Sequence, residues 1–190
     1  MSVKYAVLAA LLEGEASGYQ LSKIFDVSSA SFWPATPQQL YRELERLAGD
    51  GLIRARVVRQ ERRPDKRMFT LTEAGREELR AFAVAPTRRP TALRDELMIK
   101  IQAMDDADPA ATRELIEERR TWARGRLDRF EQVRERLLDG RDEDDYLRTA
   151  DRVGPYLTLM GGIAFERENL RWCDRALAVL DRRGTRLSPR

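Results

Sequence analysis

The stretch that decides the fold is WPATPQQLYRELERLAGDGLI, Trp33 to Ile53. Thr36 is a good helix N-cap, and Pro37 follows at the first helical position, where its missing N–H is harmless. Gln39, three residues after Thr36, completes a capping box that satisfies two otherwise orphaned N–H groups. Leu40, Leu44 and Leu47 recur at i, i+4 and i+7 and form one apolar face. The opposite face carries Gln38, Arg42 and Glu45, with Gln39, Tyr41 and Arg46 on its flanks. Gly49-Asp50-Gly51 is a stop signal. A short helix with this exterior suits a DNA major groove: Arg reads guanine bidentately, Gln reads adenine, and Tyr reaches phosphate or a thymine methyl. Alone, such a face reads more readily as an ordinary solvated surface. The segment after the helix reverses that reading.

Beyond Gly51 the period changes. Ile53, Ala55 and Val57 alternate with Arg54, Arg56 and Val58, which is strand spacing. Glu61 to Asp65 is a turn and Lys66 to Leu71 returns, so the pair predicts a β-hairpin. From Arg54 to Arg67 seven basic residues face two acidic ones, a net +5 where the whole chain carries +3. Charge gathered on a hairpin beside a candidate reading helix is what a phosphate-contacting wing requires. A solvated hairpin with an arginine-protected edge is the bland alternative.

Upstream, Val3 to Leu12 reads as a first helix. Ser17 and Gln20 form a second capping box, and Leu21, Ile24 and Phe25 give the next helix an apolar face. Two successive helices opening with one device predict a helix-turn-helix. Phe32-Trp33-Pro34 is expected to fold back on the core as an aromatic plug. Thr72 caps a helix from Glu73 to about Ala83, with Leu79 and Phe82 inward. The proline-bearing stretch Ala85 to Pro90 places a domain boundary. The expected division is 1–85, a winged helix-turn-helix module with a two-stranded β wing, then 91–183, a helical dimerisation domain, then a disordered tail, 184–190. The fold class is mainly α.

The second half reads as helical throughout. Leu93 to Met104 is followed by a long helix from Asp108-Pro109, whose apolar positions include Ile116, Trp122, Ala123, Phe130 and Val133. A last helix is expected from about Asp142 to Arg182, kinked at Gly154-Pro155. Gly161-Gly162 lies deep within it at about 1 kcal/mol per glycine against alanine, a cost usually offset by close approach of another helix. Amphipathic helices beyond a complete winged module leave apolar surface over. A ligand pocket or a second copy of the chain would use it, and pairing is the economical answer because two half-sites of a palindrome need a two-fold partner. Leu97, Ile101, Gly161, Gly162, Trp172 and Leu177 are the candidate dimerisation residues.

Composition excludes much else. The 190 residues contain no histidine, which removes His-based triads, His-ligated zinc and most general-base chemistry at neutral pH. The lone Cys173 forms no intramolecular disulfide, fits a reducing compartment and reads as a packing residue. The apolar run before Glu13 is too short to span a membrane and lacks a cleavage pattern. No phosphate-binding glycine loop, dinucleotide fingerprint or metal-ligand cluster occurs. The acidic runs Asp105-Asp106 and Asp142 to Asp145 sit beside helix ends, where carboxylates favour the dipole. Neither an enzyme nor a metal or other cofactor is expected.

Taken together, these stretches make a chain that resembles the PadR family of winged-helix transcription regulators, in its larger subfamily with a helical C-terminal domain. The resemblance is carried by Tyr5-Ala6-Val7-Leu8, by Ser17-Gly18-Tyr19-Gln20-Leu21 and by Phe32-Trp33-Pro34. Gln39-Leu40-Tyr41 with Leu44 and Leu47, then Gly51-Leu52-Ile53, Leu71 to Arg76 and Arg94-Asp95-Glu96-Leu97 continue it. It implies a homodimeric, usually repressing, DNA-binding protein of the cytoplasm, and some members respond to phenolic acids or other small aromatics. Two departures are Gln38-Gln39, where a small residue often precedes the Leu-Tyr pair, and Glu15, where proline is frequent. The first alters the reading face, so an operator sequence does not carry over.

The expected partners are therefore double-stranded DNA with a two-fold related operator, a second copy, and a small aromatic effector. Trp33, Trp122 and Trp172 are its candidate pocket residues, with core or interface packing as the bland alternative, and no membrane is involved. The DNA-facing candidates are Ser17, Tyr19, Thr36, Gln38, Gln39, Tyr41, Arg42 and Arg46, with Arg62, Arg63, Lys66 and Arg67 on the hairpin. The rival from another class is a winged-helix interaction adaptor that does not bind DNA, against which the basic hairpin speaks.

Overall fold

The computed structural model describes residues 3–25, 35–59, 65–86, 94–106 and 109–187. The aromatic plug at Phe32-Trp33-Pro34, the hairpin tip with Arg62 and Arg63, and the cap at Asp108 lie outside the described residues. The chain divides into two compact units, residues 1–90 and 91–190.

In the first unit, α1 (Lys4–Ala10) runs into a single 3-10 turn, Leu11–Glu13, so the first helix is shorter than its apolar spacing predicts. Then come β1 (Ala16–Ser17), α2 (Gly18–Ile24), α3 (Pro37–Gly49), β2 (Ile53–Val58), β3 (Lys66–Leu71) and α4 (Glu73–Val84). Both capping boxes form. At α3 the Gln39 N–H donates to Thr36 Oγ1 at 3.2 Å, and the Thr36 N–H donates to Gln39 Oε1 at 3.0 Å. At α2 the Gln20 N–H donates to Ser17 Oγ at 3.2 Å, and the Ser17 N–H donates to Gln20 Oε1 at 2.9 Å.

One core serves the whole unit. Leu40, Leu44 and Leu47 pack with Val7, Leu8, Leu11, Leu21, Phe25, Ile53 and Phe69, all buried. Each such side chain contributes about 1.5–3 kcal/mol by leaving water, so the leucine stripe fixes which face of α3 points out. β2 and β3 pair antiparallel from Ile53↔Leu71 to Val58↔Lys66. The wing is not two-stranded alone. β1 adds to the free side of β3, with Ala16 opposite Phe69 and Ser17 opposite Met68, giving the order β1-β3-β2. Two residues are too few for alternation to show in a sequence. Thr72 ties the wing to α4: its hydroxyl donates to Gly51 O at 2.8 Å and accepts from the Gly75 N–H at 3.1 Å. Phe82 does not turn inward. It stands partly exposed and stacks on Tyr5 with centroids 3.8 Å apart.

The second unit contains α5 (Glu96–Gln102), a 3-10 turn at Met104–Asp106, α6 (Pro109–Leu138), α7 (Glu143–Thr149) and α8 (Gly154–Leu187). α6 and α8 pack antiparallel. Arg113 pairs with Asp181, Arg120 with Asp174 at 2.8 Å and Arg126 with Glu166 at 2.9 Å, so ascending residues of α6 meet descending residues of α8, and Glu131 bonds Arg167 at 2.5 Å beside the last of these. The expected kink at Gly154-Pro155 is a full break instead. α7 ends at Thr149 and α8 begins at Gly154, which puts Pro155 in a first turn where no N–H is needed. α8 continues to Leu187, through residues expected in the tail. Trp122 lies outward, 61% exposed, rather than on the apolar face of α6.

Candidate nucleic-acid interface

With the leucine stripe inward, Gln38, Tyr41 and Arg42 are exposed on α3, as the helical period requires. Among the described residues Arg42 makes no ion pair, so its guanidinium is available to a ligand. Tyr41 is positioned by its neighbour. A Cβ on Gly18 would lie 2.4 Å from Tyr41 Cε1, so the absence of a side chain at the start of α2 is what lets the phenol ring lie there. Tyr19, beside Gly18, is 67% exposed, and Lys23 Nζ lies 5.7 Å from its ring centroid. Tyr41 and Tyr19 thus crown the two helix N-termini, with a cation attached to one of them. Lys23 was not among the sequence candidates, although its i+4 spacing from Tyr19 places it on that face.

Four of the candidates on the helices and their caps are otherwise occupied. Ser17 is withdrawn from the surface: it is 4% exposed, its hydroxyl is engaged with Gln20 in the α2 cap, and the residue pairs with Met68 in the sheet. Thr36 and Gln39 are exposed, but their oxygens close the α3 cap. Arg46 donates to both Glu43 oxygens, at 3.2 and 2.5 Å, and to Asp50 at 3.1 Å; the Glu43 carboxylate beside it raises its pKa.

On the sheet, Arg67 donates to Glu45 of α3. Arg56 donates to both oxygens of Glu15, at 2.6 and 2.5 Å. Those bonds hold the Glu15 carboxyl below the usual carboxylate range, and the charge of Lys66 acts in the same direction. Lys66 lies opposite Val58 on the same sheet face as Arg56 and Met68.

The candidate dimerisation residues divide. Leu97 and Leu177 are buried within one chain, and Ile101 and Trp172 pack on the Ile116, Cys173, Leu177 cluster. Gly162 is buried where α8 meets Phe130 of α6. These residues build the protomer's own core, because α6 and α8 satisfy each other. Gly161 is exposed, and with it Leu157, Met160 and Ala164 form a second apolar stripe on the outer side of α8. Sequence reasoning missed that stripe, since both faces of α8 carry apolar residues at helical spacing. A shallow groove of about 400 Å³ on α6 is lined by Glu117, Arg120, Thr121 and Arg124. Among the described residues no helix is long and apolar enough to cross a membrane.

A helix-turn-helix with a β wing, its third helix seated by leucines and open on the far side, defines a DNA-binding transcriptional regulator. Residues 7–81 match the transcriptional regulator PadR-like family, and residues 93–181 match the virulence activator alpha C-terminal family. The chain belongs to the PadR-like family of transcriptional regulators, in its form with a helical C-terminal region. A probable transcriptional regulator of Mycobacterium tuberculosis is 32% identical over 95% of this chain and 98% of its own. The crystal structure of Bacillus subtilis PadR in complex with operator DNA is similar over 94% of this chain and 98% of that one, with TM-score 0.71 and 27% identity. The same protein has been crystallised with p-coumaric acid. The Vibrio cholerae virulence activator AphA is similar over 95% and 98% of the two chains, with TM-score 0.63 and 26% identity.

Proposed function

We propose that this regulator is a homodimeric repressor that reads a two-fold related operator and is released by a small aromatic effector. The observation that carries the reading is the exposed set Gln38, Tyr41 and Arg42 on a helix whose other face is locked into the core. Arg42 supplies the base contact, Gln38 and Tyr41 flank it, and the wing cations Arg62, Arg63 and Lys66 meet phosphates. The division follows the sequence boundary: 1–85 binds DNA and 91–183 pairs the protomers. The outer stripe of α8, Leu157, Met160, Gly161 and Ala164, is the surface offered to the second copy. Repression is supported by the B. subtilis relative, a negative transcriptional regulator, and the effector by that protein's complex with p-coumaric acid. Arg124 in the α6 groove suits the carboxylate of such a ligand.

The test begins with a duplex selected by the wild-type chain from a randomised pool, compared with a scrambled duplex. Arg42→Ala is expected to weaken the selected duplex by about 1–3 kcal/mol and to narrow its advantage over the scrambled one. Arg62→Ala with Arg63→Ala is expected to weaken both duplexes alike and to lower the salt slope by roughly two for each wing. Loss of discrimination in the wing variant, with Arg42→Ala unaffected, reverses the assignment. Sedimentation at micromolar concentration is expected to show twice the 22.0 kDa chain mass.

A further inference from the structure

The outward stripe of α3 carries one charge that opposes DNA. Gln38, Arg42, Glu45 and Gly49 follow at i, i+4, i+7 and i+11, directly opposite Leu40, Leu44 and Leu47. Glu45 therefore stands on the reading face beside Arg42, with its side chain 59% exposed. A carboxylate there repels phosphate and finds a donor only at a base edge with an exocyclic amine, cytosine N4 or adenine N6. α3 itself contains two arginines and two glutamates, and one of those arginines, Arg46, is held by Glu43 and Asp50. The helix thus brings no net positive charge to the groove.

Glu45 is paired from the wing. Arg67 of β3 donates to its Oε1, while the Arg67 guanidinium carbon lies 5.3 Å from the ring centroid of Phe69, a core residue 2% exposed. The Arg67 guanidinium is held from two sides, by the core aromatic and by the reading helix. Its register partner is Val57, so it lies on the helix-facing side of the sheet, whereas Lys66 lies on the other. A wing cation that would otherwise neutralise a phosphate is diverted to a carboxylate on α3.

We propose that the Glu45–Arg67 pair is a specificity-determining element. It withholds Arg67 from the phosphates of any duplex and places a carboxylate over the groove. Generic docking is thereby weakened more than docking on a sequence that offers Glu45 an amino edge. This rests on α3 being the base-reading helix, as proposed above. One phosphate contact contributes about 0.9 to the salt slope, which is about eightfold in affinity at 0.1 M salt.

The experiment measures binding isotherms of the full chain at several salt concentrations, on the selected duplex and its scrambled counterpart. Glu45→Gln is expected to tighten the scrambled duplex by up to about eightfold per engaged copy at 0.1 M salt and to steepen its salt slope by about one. The selected duplex gains less, so discrimination falls. Arg67→Gln, which uncovers Glu45, is expected to weaken both duplexes, and adding Glu45→Gln is expected to restore binding. Were the pair only a brace for the wing, the double variant would bind no better than Arg67→Gln, and that result overturns the proposal. Unchanged discrimination in Glu45→Gln, while Arg42→Ala still loses it, overturns the proposal and leaves the base-reading assignment standing. A wild-type chain that selects no sequence, with Arg42→Ala binding like wild type, overturns both.

Discussion

Gly162 is the position where a single methyl group tests the packing of the second unit. A Cβ there would lie 3.0 Å from Phe130 Cε2 and 3.2 Å from Cζ. Phe130 is 2% exposed and packs with Leu159, Ile163, Leu127, Val133 and Leu137, so it yields only by displacing a close-packed cluster. For Gly162→Ala, the helix-propensity gain of about 1 kcal/mol is offset by overpacking of about 1–3 kcal/mol, leaving a loss of roughly 0–2 kcal/mol. Gly162→Leu adds bulk the cluster cannot absorb and is expected to destabilise by about 1–3 kcal/mol. At about 4–8 °C per kcal/mol for a unit of this size, the melting temperature falls by roughly 5–20 °C. The assay is thermal unfolding followed by circular dichroism at one fixed protein concentration, because the pairing proposed above would make the melting temperature depend on concentration. Phe130→Leu in the same chain makes room, so the double variant is expected to lose less than the sum of the two singles. Gly161→Leu is the control. It faces out, and its expected effect is on the sedimenting mass rather than on the protomer's fold. A Gly162→Leu chain that melts like wild type refutes the argument, since Phe130 would then move at no cost.

Three further outcomes rest on buried or paired groups in the second unit. Arg119 donates to both Asp95 oxygens, at 2.8 and 2.6 Å, and holds that carboxyl below the usual aspartate range. A lowered folded-state pKa gives stability that is complete above the unfolded value of about 3.9 and is lost as pH falls through the lowered value. Asp95→Asn should flatten the acid limb of the stability curve below about pH 4, and an unaltered limb would show that the pair is not linked to folding. Arg126→Ala takes away the cation facing Glu166, which is fully buried, and should cost about 2–4 kcal/mol in denaturant unfolding; the figure sits below the fully buried range because Arg126 is 30% exposed and Asn169 still donates to the carboxylate. Cys173 is fully buried, and desolvation pushes its thiol pKa up, so alkylation should proceed only as fast as the unit opens, and rapid labelling of the native chain would contradict its burial.

The first unit was legible in the sequence because its signals are local. Capping boxes, a leucine period of 3.6 and a switch to a period of 2 each span fewer than ten residues, and each maps onto one element. What escaped was non-local. β1 exists because β3 has a free edge beside it, and nothing in Ala16-Ser17 announces that pairing. Ser17 has the sequence signature of an exposed cap on the approach to DNA, yet the same pairing buries it. Glu45 and Arg67 are 22 residues apart in the chain, and only the folded hairpin joins them. In the second unit the helices were legible, but the assignment of residues to core or interface was not. Leu97, Gly162 and Leu177 are apolar or small at helical spacing, which states that they face something without stating whether it is the same chain.

The seam of α8 shows why that ambiguity arose and how it resolves. Tyr156, Leu159, Ile163, Glu166, Leu170, Cys173 and Leu177 are all buried, and they alternate at steps of three and four, the heptad of an antiparallel coiled coil against α6. The heptad is hard to see in the sequence because a glutamate occupies its middle position, where a charge breaks the apolar pattern. The structure pairs that glutamate with Arg126 at 2.9 Å and with the Asn169 amide at 3.2 Å. A polar group at one core position permits few alternative registers: sliding α8 a heptad toward the C-terminal end of α6 would set Val133 where Arg126 stands and bury Glu166 without an arginine, a loss of several kcal/mol, while the opposite slide, which offers it Arg119, would set Arg167 against Arg124. The flanking pairs Arg120–Asp174 and Glu131–Arg167 bias the same register from the rim, where each contributes at most about 1 kcal/mol. Register is therefore decided by Glu166 together with the rim pairs. The outer stripe from Leu157 to Ala164 takes no part in that decision, which leaves it available for a second copy.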